Sequence, residues 1–208
     1  MDKAVVKDAL ILTIITLCAG VLLGIVHEIT LEPIAQANYK AQQEAYKAVF
    51  ADAASFEDVA DFDAEAASQA TATAHTDLFD GLNIALNGLV EAKDASGETL
   101  GYIVDVTDSD GYAGDITFSV GIQLDGTLNG YSITDISETA GLGMKAKEEK
   151  FYSQFENKQV QSFTVVKQKP ADDTEIEAIS GATITSRAMT NGVNFALAYF
   201  QDNLGGEK

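Results

Sequence analysis

The segment Ile179-Ser180-Gly181-Ala182-Thr183-Ile184-Thr185-Ser186, followed by Arg187-Ala188-Met189-Thr190, decides how the C-terminal part of the chain is read. Downstream of it Ala188, Met189, Val193, Ala196, Leu197 and Phe200 recur at helical spacing, forming one apolar stripe that ends near Asp202. The spacing predicts a helix with Thr185 or Ser186 as N-cap, where a side-chain oxygen is wanted. The small-residue turn then precedes the positive end of a helix dipole, where backbone amides lack intrahelical acceptors. Such a place suits a phosphate. Gly181 and Ala182 leave the backbone uncluttered, and Thr183 sets a hydroxyl beside the anion site. A phosphate esterified to that hydroxyl is a diester with roughly one negative charge, against the ~1.5 to 2 of a monoester. Amides and hydroxyls can hold such a group without a cluster of Arg and Lys. The plain alternative is an ordinary helix-start turn.

Upstream of this segment the hydrophobic period is two. From Gly88, Leu89 to Lys93 and Leu100 to Val106 flank a turn at Asp94-Ala95-Ser96-Gly97 and predict a β-hairpin. The glycine-rich turn Gly111-Tyr112-Ala113-Gly114-Asp115-Ile116 leads to a second hairpin, Thr117 to Ile122 and Leu128 to Ile136, around Asp125-Gly126. The loop Ser137-Glu138-Thr139-Ala140-Gly141-Leu142-Gly143-Met144-Lys145 interrupts the pattern; its glycines permit a tight turn. Ala146 to Asn157 is expected to be a short helix carrying Phe151, Tyr152 and Phe155, and Phe163 to Val166 a last strand. The expected fold class is therefore α+β, with a mostly antiparallel sheet flanked by helices.

At the other end, Ala9 to Val26 contains no charged residue and is just long enough as a helix to cross a hydrocarbon core of about 30 Å. Gly20 and Gly24 are a small-xxx-small pair on that span. Ala35-Gln36-Ala37 resembles a signal-peptide cleavage site but lies far beyond the apolar run, so an uncleaved anchor is expected. Lys3 and Lys7 precede the span and only Lys40 follows closely, which places the N-terminus in the cytoplasm and the domain outside. The expected organisation is a cytoplasmic stretch at 1–8, a transmembrane helix at 9–28, a helical and acidic connecting region at 29–87, and a cofactor domain at 88–208. Within the connecting region, Leu31 to Phe50 is expected to be a helix burying Leu31, Ile34, Ala41, Ala45, Tyr46, Val49 and Phe50. Ala51 to Thr76 is expected to be a solvated acidic linker, with His75 on its surface.

A net charge of −19 argues against nucleic acid as a partner, since a phosphate backbone needs Lys and Arg. The acidic linker lacks the spaced ligands and glycine of a calcium loop, and no metal site is expected. Cys18 is the only cysteine, which excludes disulfides, cysteine-ligated metals and iron–sulfur clusters from the large domain. Any redox role there falls to an organic cofactor.

Ser180-Gly181-Ala182-Thr183-Ile184-Thr185-Ser186-Arg187-Ala188 resembles the covalent flavin attachment motif of the FMN-binding subunits of Rnf-type and Na+-translocating NADH:quinone reductase complexes. The loop at Glu138 to Gly143 resembles that family's Glu-Thr-Pro-Gly-Leu-Gly segment with Ala140 in place of Pro. The Gly111 to Ile116 turn resembles its Gly-Tyr-Gly-Gly-Pro-Ile segment, departing at Ala113 and Asp115. Where the family has an Asp three residues before the motif's Ser, this chain has Glu177. The resemblance, nearer to the G subunit of an Rnf complex than to the C subunit of the quinone reductase, implies FMN bonded through its phosphate to Thr183. It implies Ser180, Gly181, Ala182 and Thr185 around the phosphate and Glu138, Thr139, Leu142 and Gly143 near the ring. It also implies a flavin transferase for maturation, the other membrane and peripheral subunits of an ion-translocating ferredoxin:NAD oxidoreductase as partners, and an electron-carrying role with no catalytic residue of the chain's own. Two other readings stand beside it: a stand-alone membrane-anchored flavoprotein, and an extracytoplasmic module that binds a ligand or protein without redox chemistry.

Overall fold

The computed structural model describes residues 3–205. Met1, Asp2 and residues 206–208, which the expected N-terminal stretch and cofactor domain include, lie outside the described residues. The chain divides into two compact units, Met1–Ala41 and Gln42–Lys208.

The first unit is helical, the greater part of α1 (Lys3–Val49). Its apolar segment has a mean hydropathy of 2.7 and is not buried against protein, so it has the length and composition to cross a membrane. Thr13 and Thr16 donate their hydroxyls to the carbonyls of Ala9 and Leu12, so neither is left unpaired on that surface. The helix runs through Pro33. The expected buried face of residues 31–50 is only half correct: Leu31 and Ile34 are exposed, whereas Ala45, Tyr46, Val49 and Phe50 are buried. Helical periodicity reports that a side is apolar, not what covers it.

The second unit is built on a five-stranded antiparallel sheet in the order β1 (Ser55–Asp58), β2 (Ile84–Lys93), β3 (Thr99–Asp108), β4 (Ile116–Gln123) and β5 (Leu128–Ile136). Both expected hairpins are present. Strand β2 begins earlier than its alternation predicts, because the register shifts between Leu86 and Gly88 and breaks the period of two. Alternate residues of β3 serve different layers. Val104 and Val106 join the main core under α5 (Thr183–Asn203), while Ile103 packs with Tyr46, Val49 and Phe50 on the other face. Both layers rest on missing side chains. A Cβ on Gly192 would stand 2.5 Å from the Phe118 ring, and one on Gly121 would stand 2.7 Å from Val49 Cβ. Between the layers, the buried Asp105 carboxylate accepts from Ser119 Oγ at 2.5 Å, Tyr46 OH at 2.6 Å and Gln42 Nε2 at 3.0 Å. Burial raises its proton affinity, and these three donors hold the rise back.

The acidic stretch expected as a linker is folded. It contributes β1, α2 (Ala64–Ala74) and α3 (Thr76–Phe79). Asp63 caps α2 by accepting from Ala66 N at 3.0 Å. Ser68 Oγ accepts from Leu86 N at 2.9 Å, and Thr71 is buried. A helix that packs through Ala, Ser and Thr carries no apolar stripe, so its pattern is silent. His75 is partly exposed but paired with Asp202 of α5 at 2.9 Å. The helix expected over Ala146 to Asn157 is broken into a 3-10 turn at Gly143–Lys147, α4 (Glu149–Tyr152) and a second 3-10 turn at Ser153–Phe155. Its aromatic residues nevertheless anchor the segment. The Phe155 ring meets those of Tyr131 and Phe163 at 5.2 Å, and fitting these edge-on contacts overrides a continuous helix. The expected last strand is β6 (Thr164–Val166), which pairs in parallel with β7 (Glu175–Glu177).

Asp108, at the end of β3, is 0% exposed. One carboxylate oxygen accepts from Asp110 N at 2.8 Å and the other has no partner. Burial therefore pushes its pKa up to about 7. The folded state thus holds this proton more tightly than the unfolded chain, whose carboxyl has the ordinary value of 3.8. The resulting stabilisation is fully present below the unfolded value and is lost as pH rises through the folded one. Melting temperature should fall between pH 4 and pH 8, and Asp108→Asn should flatten that fall and stabilise the protein at pH 8 by on the order of 2 kcal/mol. Parallel melting profiles of the two proteins across this range would refute the assignment.

Candidate functional site

Helix α5 begins two residues before the expected cap. Its N-cap is Ala182, and no side chain caps it. The reason lies in Ser186, which is drawn inward: its hydroxyl donates to Ala182 O at 2.8 Å and accepts from Ile179 N at 2.9 Å. Thr185, the other expected cap, is likewise a buried member of the first turn. Ala182 N in turn donates to Ile179 O at 2.9 Å, closing a turn whose third residue, Gly181, has φ +81°. That is the position of a type II turn at which glycine is required. The outcome is a tightly held loop that delivers Thr183 as the first helical residue, half-buried, with the leading amides of the helix lacking intrahelical acceptors.

This turn faces the loop that follows β5. Together they form a cleft of about 470 Å³ lined by Glu138, Thr139, Leu142, Gly143, Gly181, Ala182, Thr183 and Thr185, with Tyr112 and Ile184 completing it. Every expected site residue except Ser180 lines this one space; Ser180 is exposed on the turn itself. Tyr112 and Ile184 are the additions. Tyr112 lies in the glycine-rich turn before β4, whose motif is visible in the sequence although it assigns no role to its aromatic residue.

The inner wall is polar. Glu138 is 7% exposed, and one of its oxygens accepts from Tyr112 N at 2.7 Å, with Ala113 N at 3.5 Å. The carboxylate thereby ties the Tyr112 turn to the cleft. Its other oxygen and the Thr185 hydroxyl are both buried without a partner. Between them sits Gly143: a Cβ there would stand 2.6 Å from Glu138 Oε2 and 2.7 Å from Thr185 Oγ1. Thr185, grouped with the phosphate turn in the sequence, thus has its hydroxyl on the same wall as Glu138. The rim is apolar, with Tyr112, Ile184 and Leu142 all exposed. Glu177 stands outside this lining, and its backbone is paired with the Gln154 amide through Glu177 N to Oε1 at 2.7 Å.

A cleft with apolar edges, an acceptor and a hydroxyl in its depth, and a threonine at a helix start can take a flat heteroaromatic ring that carries a phosphate. Comparison with known proteins bears on that reading. Residues 111–198 match the FMN-binding domain family, and residues 1–49 match the RnfG N-terminal region. The G subunit of the Na(+)-translocating ferredoxin:NAD(+) oxidoreductase complex of Acetobacterium woodii is 33% identical over 203 residues, spanning 96% of this chain and 93% of its own length. The G subunit of the proton-translocating ferredoxin:NAD(+) oxidoreductase complex of Clostridium ljungdahlii is 38% identical over 116 residues, 56% of this chain and 62% of its own. The G subunit of the ion-translocating oxidoreductase complex of Methanosarcina acetivorans is 28% identical over 199 residues, 95% of each chain. Among solved structures, NqrC of Shewanella oneidensis superposes with a TM-score of 0.47 at 23% identity, covering 55% of this chain and 57% of that one. The C subunit of the Na(+)-translocating NADH-quinone reductase of Parabacteroides distasonis gives 0.49 at 22% identity, covering 60% and 65%. With a relative matched along nearly its whole length and both family regions present in order, the chain belongs to the RnfG family, the FMN-binding G subunits of Rnf-type oxidoreductase complexes.

Proposed function

We propose that the protein is a membrane-anchored electron carrier whose FMN is bonded through its phosphate to Thr183. Its flavin domain lies on the extracytoplasmic side, within a complex that passes electrons between ferredoxin and NAD and couples the flow to ion transport. The observation that carries this reading is the convergence at one cleft of the Thr183 hydroxyl, two buried polar atoms without partners, and a glycine that no side chain could replace without displacing them. These residues fit the cofactor. Thr183 Oγ is the attachment atom, and the Ser180 to Ala182 turn with the first helical amides borders the phosphate. Thr139, Leu142, Ile184 and Tyr112 offer surface to the ring, while Glu138 and Thr185 offer an acceptor and a hydroxyl to its polar edge. Bound FMN supplies reversible one- and two-electron chemistry. The chain contributes orientation and a partly dry, polar-backed wall. It assigns no general acid, base or nucleophile of its own to the site.

The covalent bond has a physical reason outside the cell, where occupancy of a reversible site follows free ligand concentration and a released flavin is lost. The anchor then holds the carrier near its electron partners and raises its effective concentration there. The excess of Lys before the apolar span supports a cytoplasmic N-terminus and an external domain. Maturation on this reading needs a flavin transferase that accepts Glu177 where the family has Asp, and function needs the other subunits of the complex.

Protein made alongside an active transferase should give a denatured gel band that fluoresces under ultraviolet light. Thr183→Ala should darken the band without loss of protein. A dark wild-type band would favour the non-redox binding module, and a fluorescent chain that purifies from membranes without companions would favour the stand-alone flavoprotein.

Gly143→Ala should lower stability by about 1–3 kcal/mol, the usual cost of forcing a methyl group into a filled space, and should reduce the flavinylated fraction in intact-mass spectra. Unchanged stability and full flavin loading in that variant would show that the gap at Gly143 is not needed. Tyr112→Leu should leave flavin loading intact yet raise flavin emission in the native protein, because a phenol ring against the flavin quenches it. Identical emission from both proteins would remove Tyr112 from the ring's surroundings.

A further inference from the structure

The cleft carries one charge that nothing in its wall compensates. Glu138 supplies the only carboxylate among the residues that line it, and none of them is Lys, Arg or His. The side chain is more than nine-tenths buried. One of its oxygens faces the amides of Tyr112 and Ala113, at 2.7 Å and 3.5 Å. The other, Oε2, is buried and accepts from nothing. Neutral amides hold a carboxylate in place without cancelling its charge.

The start of α5 gives the same cleft a feature of the reverse polarity. Its leading amides lack intrahelical acceptors and set the positive end of a helix dipole at Thr183. A ring that carries a phosphate matches this pattern with its phosphate at the helix start and its ring toward the carboxylate. Full reduction of a flavin takes two electrons and two protons. When only one of the protons is taken up, the ring keeps a negative charge on its pyrimidine side. A fixed carboxylate nearby opposes that charge but leaves the uncharged, oxidised ring unaffected, so it weakens the pull of the ring on electrons. Charge acts through space, and the effect needs no contact between Oε2 and the ring. Salt in solution screens a buried charge of this kind only weakly.

We infer that Glu138 sets the electron affinity of the flavin in this cleft, holding its reduction potential low with a buried negative charge. The inference rests on the covalent FMN reading above and gives Glu138 a task beyond accepting a hydrogen bond from the ring. An acceptor alone could be the amide of Gln or Asn, without the cost of burying a charge. What distinguishes a carboxylate from those side chains is its charge, and here no cation of the lining neutralises it. A flavin so placed is a better electron donor and a poorer acceptor.

The test is potentiometry on the full chain, solubilised from membranes after production with an active transferase and reduced stepwise with dithionite. Glu138→Gln keeps the size of the side chain and an acceptor for Tyr112 N, and removes the charge. It should raise the equilibrium constant for reduction about tenfold, which is about 30 mV for a two-electron couple. The rise should persist in about 1 M KCl, where surface charges are screened. Sulfite, an anion that adds to the oxidised ring and leaves negative charge on its pyrimidine side, should bind this variant more tightly in the same proportion. Glu138→Asp keeps the charge and should stay close to the wild type. Asp115→Asn removes an exposed charge from the turn beside the site, and any shift it gives should vanish in the same salt. Glu138→Ser removes the charge by a second route. If neither neutral variant yields FMN-bearing protein, Glu138 serves loading and the inference is overturned. An unmoved or lowered potential in the neutral variants, a rise that salt abolishes, or an equal rise in Glu138→Asp also overturns it. In all of these cases a wild-type chain that carries the FMN mass leaves the covalent reading standing. A wild-type chain without that mass overturns both.

Discussion

The close approach of α5 to the sheet is the constraint from which the site follows. Where the helix crosses β3 and β4, Gly192 leaves no room for even a methyl group beside Phe118 and Val106. That close approach requires the face of the helix that carries Gly192 to be turned toward Phe118 and Val106. Its residues from Thr185 to Phe200 are almost all buried, more than the single stripe that surface helices show. Once that contact is fixed, the first turn must emerge beside the loop after β5. Thr183 reaches the cleft as a consequence of packing more than two helical turns away.

The cleft itself is a place where local stability has been given up. Among the described residues three buried side-chain oxygens lack partners, on Asp108, Glu138 and Thr185, and two of them face the same glycine. Each such group costs about 1–3 kcal/mol when nothing satisfies it. A core optimised only for folding would replace them with apolar residues of similar size. The two on Glu138 and Thr185 lie beside an apolar rim, and the FMN site proposed above gives a reason for their retention there. Glu138 serves both ends, since one oxygen organises the Tyr112 turn and the other is left for the cleft.

Much of this is legible in the amino-acid order, and the exceptions have specific causes. The two hairpins can be read because alternation and the Asp-Gly and Ser-Gly turns agree with each other. The cleft can be assembled from three short motifs, each made of residues whose backbone demands are narrow, as at Gly181. The folded acidic stretch cannot be read, because α2 packs through Ala67, Thr71 and Ala72, small side chains that leave no periodic signal. The start of α5 misleads because Thr185 and Ser186 look like caps on any scale of helix preferences. Ser186 spends its hydroxyl on Ile179 and Ala182 instead, a choice that only the tertiary fold dictates. Tyr112 escapes notice because an exposed aromatic acquires meaning only when its neighbours are known.

That use of Ser186 changes what kind of object a modifying enzyme would encounter. The stretch around Thr183 is not a flexible tail awaiting capture but a clasped loop, with its curvature set by Gly181 and its ends joined through one hydroxyl. Recognition would then depend on three-dimensional shape presented by an already folded domain, and a free peptide of the same composition would present a different one. On the covalent reading proposed above, an enzyme that attaches the cofactor would meet a folded surface and not a linear peptide.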